Sequence, residues 1–301
     1  MIPQTSLRFG IKTAPLHATH EALLDVWRAA DALPIFEHAW VNDHFMPLGD
    51  NPAGPCLEAW TLLAALASQT QRLRIGVMVT SNTYRHPAVL AKMAATVDII
   101  AHGRLNFGIG AGSSEREHLV YGIPFPPSGE RIRRLGEACE LIRRLWSDPV
   151  VSFEGRYYQL SEASCEPRPI QKPHPPFAIG GDGEQLIQRV VSRYADIWDC
   201  SVDSPEEYRH KNVVLDSACA AIGRGLATIE RSRHISVDLS DVRAARHETR
   251  SFIEAGATYI IYHVPTPLSA DVVQRLAEEV AEPLRTEYEE AEGRALTREN
   301  T

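Results

Sequence analysis

Gly108, Gly110 and Gly112 stand two residues apart at the end of an apolar run, RLNFGIGAG, and the chain then turns into the acidic, helix-compatible S-S-E-R-E-H. A second cluster, Gly180-Gly181-Asp182-Gly183-Glu184, follows the apolar run PFAI in the same way. Bare backbone amides on a loop that leads into a helix, with no Cβ to block approach, bind the oxygens of a phosphate or another anion. A glycine at a strand end is also an ordinary turn former, so one loop decides little and two on one face carry more. The spacing G-x-G-x-G lacks the third glycine of the dinucleotide fingerprint G-x-G-x-x-G. A Rossmann loop also follows the first strand of its domain, whereas this one lies more than a hundred residues into the chain.

The next candidate is Asp43-His44 in the stretch WVNDHF. Imidazole titrates near neutral pH and an adjacent carboxylate can tune it, so the pair suits general acid/base work. It reads equally well as a helix cap beside a surface histidine. Other chemistries find less support. The first strand candidate ends Ile11-Lys12-Thr13 rather than H-x-H, and the twelve histidines include no ligand-spaced pair, so no metal is expected. A G-x-S-x-G nucleophile elbow is absent. A glycosidase needs two carboxylates ~5–10 Å apart; Glu115 and Asp238 fall near the ends of the fourth and seventh strand candidates, with Glu115 well past its strand.

Eight short apolar runs could position these groups: LRFGI, HAWV, LRIGVMV, RLNFGI, PFAIG, ADIW, HISV and TYIIYH, each leading toward a helical pattern. Boundary signals agree. Ser204-Pro205-Glu206-Glu207 supplies a cap, a proline at the first helical position and a capping-box glutamate. Strands that are apolar on both faces and alternate with helices form a parallel sheet covered by helices. Eight such units predict a (β/α)8 TIM barrel, with a doubly wound sheet as the alternative. One segment breaks the alternation, about residues 122–176: GIPFPPSGE, a long helix from about Arg131 to Trp146, a hairpin around Glu154-Gly155, and the proline-rich EPRPIQKPHPP. It reads as an insertion between the fourth and fifth strands of one domain spanning 1–301. In a TIM barrel the chemistry lies on the loops that follow the strands, which is where Asp43-His44 and both glycine clusters fall.

The composition bounds the partners. A formal net charge of -8 argues against nucleic acid or an anionic membrane as a principal partner. Five cysteines, odd in number and without a C-x-x-C pair, fit a reducing cytoplasm. No apolar run is long enough to span a bilayer, and MIPQTSLRFG has no basic start followed by an apolar stretch, so a soluble, unexported protein is expected.

WVNDHF, LRIGVMVTSNTYRHPAVLAKMAATVDIIAHGRLNFGIGAG, YGIPFPPSGERIRRLGEACELIRRLW, FEGRYYQL, PRPIQKPHPPFAIGG and YADIW together resemble the luciferase-like monooxygenase superfamily, and within it the branch of coenzyme F420-dependent oxidoreductases. The resemblance runs from about residue 7 to 222 and resumes in the last two units. It implies a flavin or 5-deazaflavin at the C-terminal mouth of the barrel, resting on a bulge in the third strand that often holds a non-prolyl cis peptide, here Val77-Met78-Val79 and the adjoining Thr80. It also implies cofactor phosphate and ribityl contacts from Ala111 and Gly112, from Gly180, Gly181, Asp182 and Gly183, and from Tyr121. A deazaflavin carries hydride and does not readily activate oxygen. The implied reaction is therefore hydride transfer between F420 and a small organic substrate, with reduction of a C=C, C=N or C=O bond favoured, His44 as acid/base and Asp43 beside it. The alternatives are an FMN-dependent two-component monooxygenase fed by a separate flavin reductase, and a cofactor-free barrel that only binds. A homodimer is expected. Sugar-phosphate dehydrogenases of the superfamily carry a glutamate directly after the Gly-x-Gly of the fourth strand, where this chain has Ser113, which argues against glucose 6-phosphate as substrate. The seventh unit, RHISVDLSDVRAARHETR, departs from the family pattern.

Overall fold

All eight apolar runs find parallel partners in the computed structural model, which describes residues 7–48, 52–183 and 185–299. In chain order the strands are β1 (Arg8–Thr13), β2 (Phe36–Val41), β3 (Arg74–Val77), β4 (Thr80–Ser81), β5 (Leu105–Gly110), β6 (Val151–Glu154), β7 (Gln159–Ala163), β8 (Phe177–Gly180), β9 (Ile197–Asp199), β10 (Glu230–Ile235) and β11 (Tyr259–Val264). The order β3-β2-β1-β11-β10-β9-β8-β5-β4, with β3 also pairing β5, closes the sheet into a ring. β3 and β4 are two halves of one stave, so the ring has eight staves with helices between them, the predicted TIM barrel. Glu184 and the first six residues lie outside the described residues.

The third stave breaks at Met78-Val79, whose peptide bond is cis, at the place the resemblance implied. Below the break β3 pairs β5 at Ile75 and Gly76; above it β4 pairs β5 at Thr80 and Ser81. Between β5 and β8 lie the antiparallel hairpin β6–β7 and the helix Ser128–Ser147, as predicted from the broken alternation. The Ser204 cap also forms: its hydroxyl accepts from the Glu207 amide at 3.1 Å and Pro205 opens the helix Pro205–Ala221.

The seventh strand is placed differently from the prediction, which put it at HISV. β10 begins at Glu230 and ends at Ile235. Charged residues hid its start. Glu230 is ion-paired with Arg8 and Arg231 with Asp216, so side chains that read as surface loop are satisfied within the strand.

Two apolar layers hold the barrel. The larger lies between strands and helices and includes the buried Trp27, Trp60, Phe107, Trp146 and Phe177. The smaller fills the barrel interior with Trp40, Met78, Ala178, Ile197, Tyr259 and Ile261. Trp40 Nε1 donates to the Tyr259 hydroxyl at 2.6 Å, so the indole N–H is satisfied inside the barrel. This plug fills the barrel interior, and among the described residues open space lies at the strands' C-terminal ends.

Candidate active site

That space is a cavity of about 480 Å³, within the range of small-molecule sites. Its wall includes Asp43, His44, Met78, Val79, Ala111, Gly112, Gly180, Gly181, Asp182 and Gly183. Ten of the thirteen sequence-predicted site residues are thus brought together. The other three are not. Val77 is fully buried on the outer face of its strand, since alternation turns Met78 inward. The Thr80 hydroxyl accepts from Trp60 Nε1 at 2.9 Å and so faces the helix layer. Tyr121 is 52% exposed and spends its hydroxyl on the Phe45 carbonyl at 2.8 Å. Glu115 and Asp238 are both exposed and outside the cavity, so the glycosidase pair does not form.

Asp43 and His44 both reach the site, but not as a pair. Asp43 is buried and accepts two hydrogen bonds from Arg85, at 2.6 and 2.9 Å, and one from the Ser81 amide at 3.2 Å. Burial pushes its carboxyl above the ordinary value, and Arg85 offsets part of that push. His44 instead meets Glu117, with Nδ1 2.8 Å from Oε2. Glu117 is buried and also accepts from the Phe45 amide at 2.6 Å and the Tyr84 hydroxyl at 2.7 Å. Burial works against its ionisation, but His44, the Phe45 amide and Tyr84 outweigh that and hold its carboxyl down at about 2. Asp43 points away because the turn after β2 sends adjacent side chains to opposite sides. Its neighbour in sequence is not its neighbour in space, and the carboxylate that orients His44 comes from 73 residues further on.

The two glycine loops are shaped by close packing. Gly112 has φ +83, and a Cβ there would lie 2.5 Å from Ser81 Oγ. Gly181 has φ +145, a Cβ there would lie 2.8 Å from Ile187 Cγ1, and the loop is tied to β9 by the Trp198 Nε1 bond to the Gly181 carbonyl at 2.8 Å. Both positions therefore require glycine for backbone reasons. Among the described residues the amides of Gly112, Ser113, Asp182 and Gly183 donate no hydrogen bond.

Arg131, in the first turn of the helix Ser128–Ser147, reaches the same region. It donates from Nε to the Gly112 carbonyl at 3.1 Å and from Nη1 to Pro126 at 2.6 Å, and its guanidinium lies 3.9 Å over the Phe125 ring. It has no carboxylate partner among the described residues. Free amides and a guanidinium without a carboxylate partner around one opening are the donors that an anion site uses. Sequence reasoning missed Arg131, Glu117 and, across the cavity, Lys12, Asp199 and His234. The sequence flags two of the last three, since Lys12 and Asp199 are charged residues near the ends of otherwise largely apolar staves, whereas His234 lies in the charged stave ERSRHI and carries no such signal.

Fold and cavity together define a TIM barrel with a cavity of small-molecule size at its C-terminal mouth, free backbone amides and Arg131 on one side and a histidine–carboxylate pair in its wall. The profile of the luciferase-like monooxygenase family matches residues 7–300, and the chain belongs to that family. The F420-dependent glucose-6-phosphate dehydrogenase of Amycolatopsis mediterranei is 31% identical over 81% of this chain and 73% of its own. That of Intrasporangium calvum is 32% identical over 92% of this chain and 82% of its own. Among solved structures, an F420-dependent secondary alcohol dehydrogenase in complex with an F420-acetone adduct shares the fold with a TM-score of 0.80 at 19% identity, over 91% of this chain and 98% of that one. Among the described residues no His/Cys/Asp/Glu group is arranged to hold a metal ion, and no helix is long and apolar enough to cross a membrane.

Proposed function

We propose that the protein is a coenzyme F420-dependent oxidoreductase acting on a small organic substrate, with reduction of a C=C, C=N or C=O bond favoured. The observation that carries this reading is the interrupted third stave at Met78-Val79, flanked by two loops with free amides and faced by His44. The naming of the relatives as F420-dependent enzymes supports it. The donor set fits the cofactor: the amides of Gly112, Ser113, Asp182 and Gly183 with Arg131 would hold a phosphate, and Met78 and Val79 would support an apolar ring. When bound, a 5-deazaflavin supplies hydride exchange at carbon without ready oxygen activation. His44 delivers or removes the proton that balances the hydride, and Glu117 holds the imidazole through Nδ1 so that Nε2 is left for the substrate. Asp43 positions the loop through Arg85 and is not itself the acid or base. Ser113 in place of a glutamate sets the substrate apart from glucose 6-phosphate.

Titration with F420 and FMN, read by tryptophan quenching, tests the reading. F420 is expected to bind more tightly. Tighter FMN binding together with oxygen consumption when reduced FMN is supplied would replace it with the two-component monooxygenase reading.

The loop after β8 gives a second measurement. Gly181→Val imposes a β-branched residue on a φ of +145 and drives its Cβ into Ile187. The loop must move, and F420 affinity is expected to drop at least tenfold, about 1.4 kcal/mol, in a folded protein. Unchanged affinity in a folded variant would move the phosphate site elsewhere.

A further inference from the structure

The staves divide the cavity into two unlike halves. The break at Met78-Val79 and the glycine loops occupy β3/β4, β5 and β8, which are consecutive in the ring. Across the ring, Lys12 near the end of β1 and His234 on β10 line the cavity, and Asp199 at the end of β9, next to β8, completes the group. Lys12 is the unusual member: it is only 7% exposed and its ammonium makes no hydrogen bond or ion pair among the described residues. A buried charge is costly unless it is paired. Burial accordingly pushes the Lys12 ammonium below its ordinary value.

The neighbours of Lys12 relieve it only in part: burial and Arg233 oppose the ammonium, and the Asp199 charge favours it. Asp199 is engaged elsewhere: its carboxylate lies 3.0 Å from His234 Nδ1 and accepts from Ser232 at 3.1 Å. That arrangement holds the His234 ring by Nδ1, and its Nε2 has no partner among the described residues. Beside Lys12 in the sheet register, His263 is pushed down to about 4 by burial and by the nearby Lys12 and His234. The half-site therefore holds one cation with no direct partner, next to an imidazole fixed by a carboxylate.

We propose that this half of the cavity is a substrate subsite for a carboxylate, with Lys12 as its charged anchor and His234 as the neighbouring hydrogen-bonding group. That the carboxylate belongs to a substrate rests on the oxidoreductase reading above; that Lys12 binds one does not. A single cavity-lining lysine beside Asp199 matches a monoanion, since a phosphate ester would bring a second negative charge toward a buried carboxylate, and the nearby Arg233 donates to the His234 carbonyl and does not line the cavity. Lys12 and His234 come from staves across the ring from β8 and the broken third stave, so the subsite would select the substrate without competing for an anion at the glycine loops.

The test compares acetate, crotonate and cinnamate, each against its neutral amide, binding to protein with and without F420 and read by calorimetry. Wild type is expected to prefer at least one carboxylate over its amide by tenfold or more. K12M and K12Q are expected to lose that preference, and their Tm should equal or exceed that of wild type, because Lys12 makes no bond for the fold to lose. The proposal is overturned if no carboxylate is preferred, if the preference survives in K12M and K12Q, if glucose 6-phosphate binds more tightly than every carboxylate, or if both variants lose several degrees of Tm. The wild-type comparison decides alone should neither variant fold. F420 affinity is read separately by tryptophan quenching. Its absence with the Lys12-dependent preference intact would remove the oxidoreductase reading and leave the carboxylate subsite standing.

Discussion

Replacing His44 by alanine is expected to slow the chemical step by roughly 10²- to 10⁴-fold, the usual contribution of a positioned acid or base, while F420 affinity stays within a few-fold. The expectation follows from position. His44 lines the cavity and its ring contact is to Glu117, not to the glycine loops, so the role proposed for it is in proton transfer and not in anion binding. Its Nδ1 is committed to Glu117, which fixes the ring and leaves Nε2 for the reacting group. The measurement is a single-turnover rate at saturating F420, on the first substrate found in a screen of unsaturated and imine-containing acids. Added imidazole should restore part of the lost rate. A rate nearly unchanged, with Tm and cofactor affinity falling together, would mean that His44 only ties the loop after β2 to Glu117.

A comparably large effect is expected on stability from Arg85→Met. Arg85 is the direct cationic partner of Asp43, which is 3% exposed, and it also pairs with Glu58. Removing one partner of a buried pair leaves an uncompensated charge and typically costs on the order of 3–5 kcal/mol. The methionine keeps much of the aliphatic bulk and removes the guanidinium, whose carbon lies 5.7 Å from the Phe45 centroid. The loss should therefore report charge and hydrogen bonds more than volume. Chemical denaturation is expected to show it, and Asp43→Asn in the same chain should recover a large part by removing the stranded charge. If Arg85→Met is as stable as wild type, the pair does not hold the loop after β2 in place.

The sequence made the barrel legible because parallel staves are apolar on both faces, a pattern that a single chain displays without any partner information. It failed where charges satisfy one another inside a strand. Arg8 with Glu230 and Arg231 with Asp216 made the start of β10 look like loop. Half of the site was legible for a similar reason: glycines at positive φ are visible as glycines, and Gly112 and Gly181 point to loops of unusual shape. Glu117 was not, because nothing in EREHLV distinguishes a buried glutamate that pairs with a cavity histidine from one facing water. Lys12 was passed over as the end of a strand, since its lack of a partner exists only in three dimensions. Asp43 shows the opposite error. Adjacency in sequence implied a pair with His44, and the turn after β2 separated them.

The break in the third stave also restricts how this chain can change over generations. Val79 stands between β5 and β8, with Cγ2 2.6 Å from where a Cβ on Gly110 would lie and 3.0 Å from where one on Gly180 would lie. Positions 79, 110 and 180 thus form one steric unit drawn from three separate staves. A Cβ gained at 110 requires Val79 to shift or shrink, and one gained at 180 presses on the same side chain, so what positions 110 and 180 accept depends on which residue stands at 79.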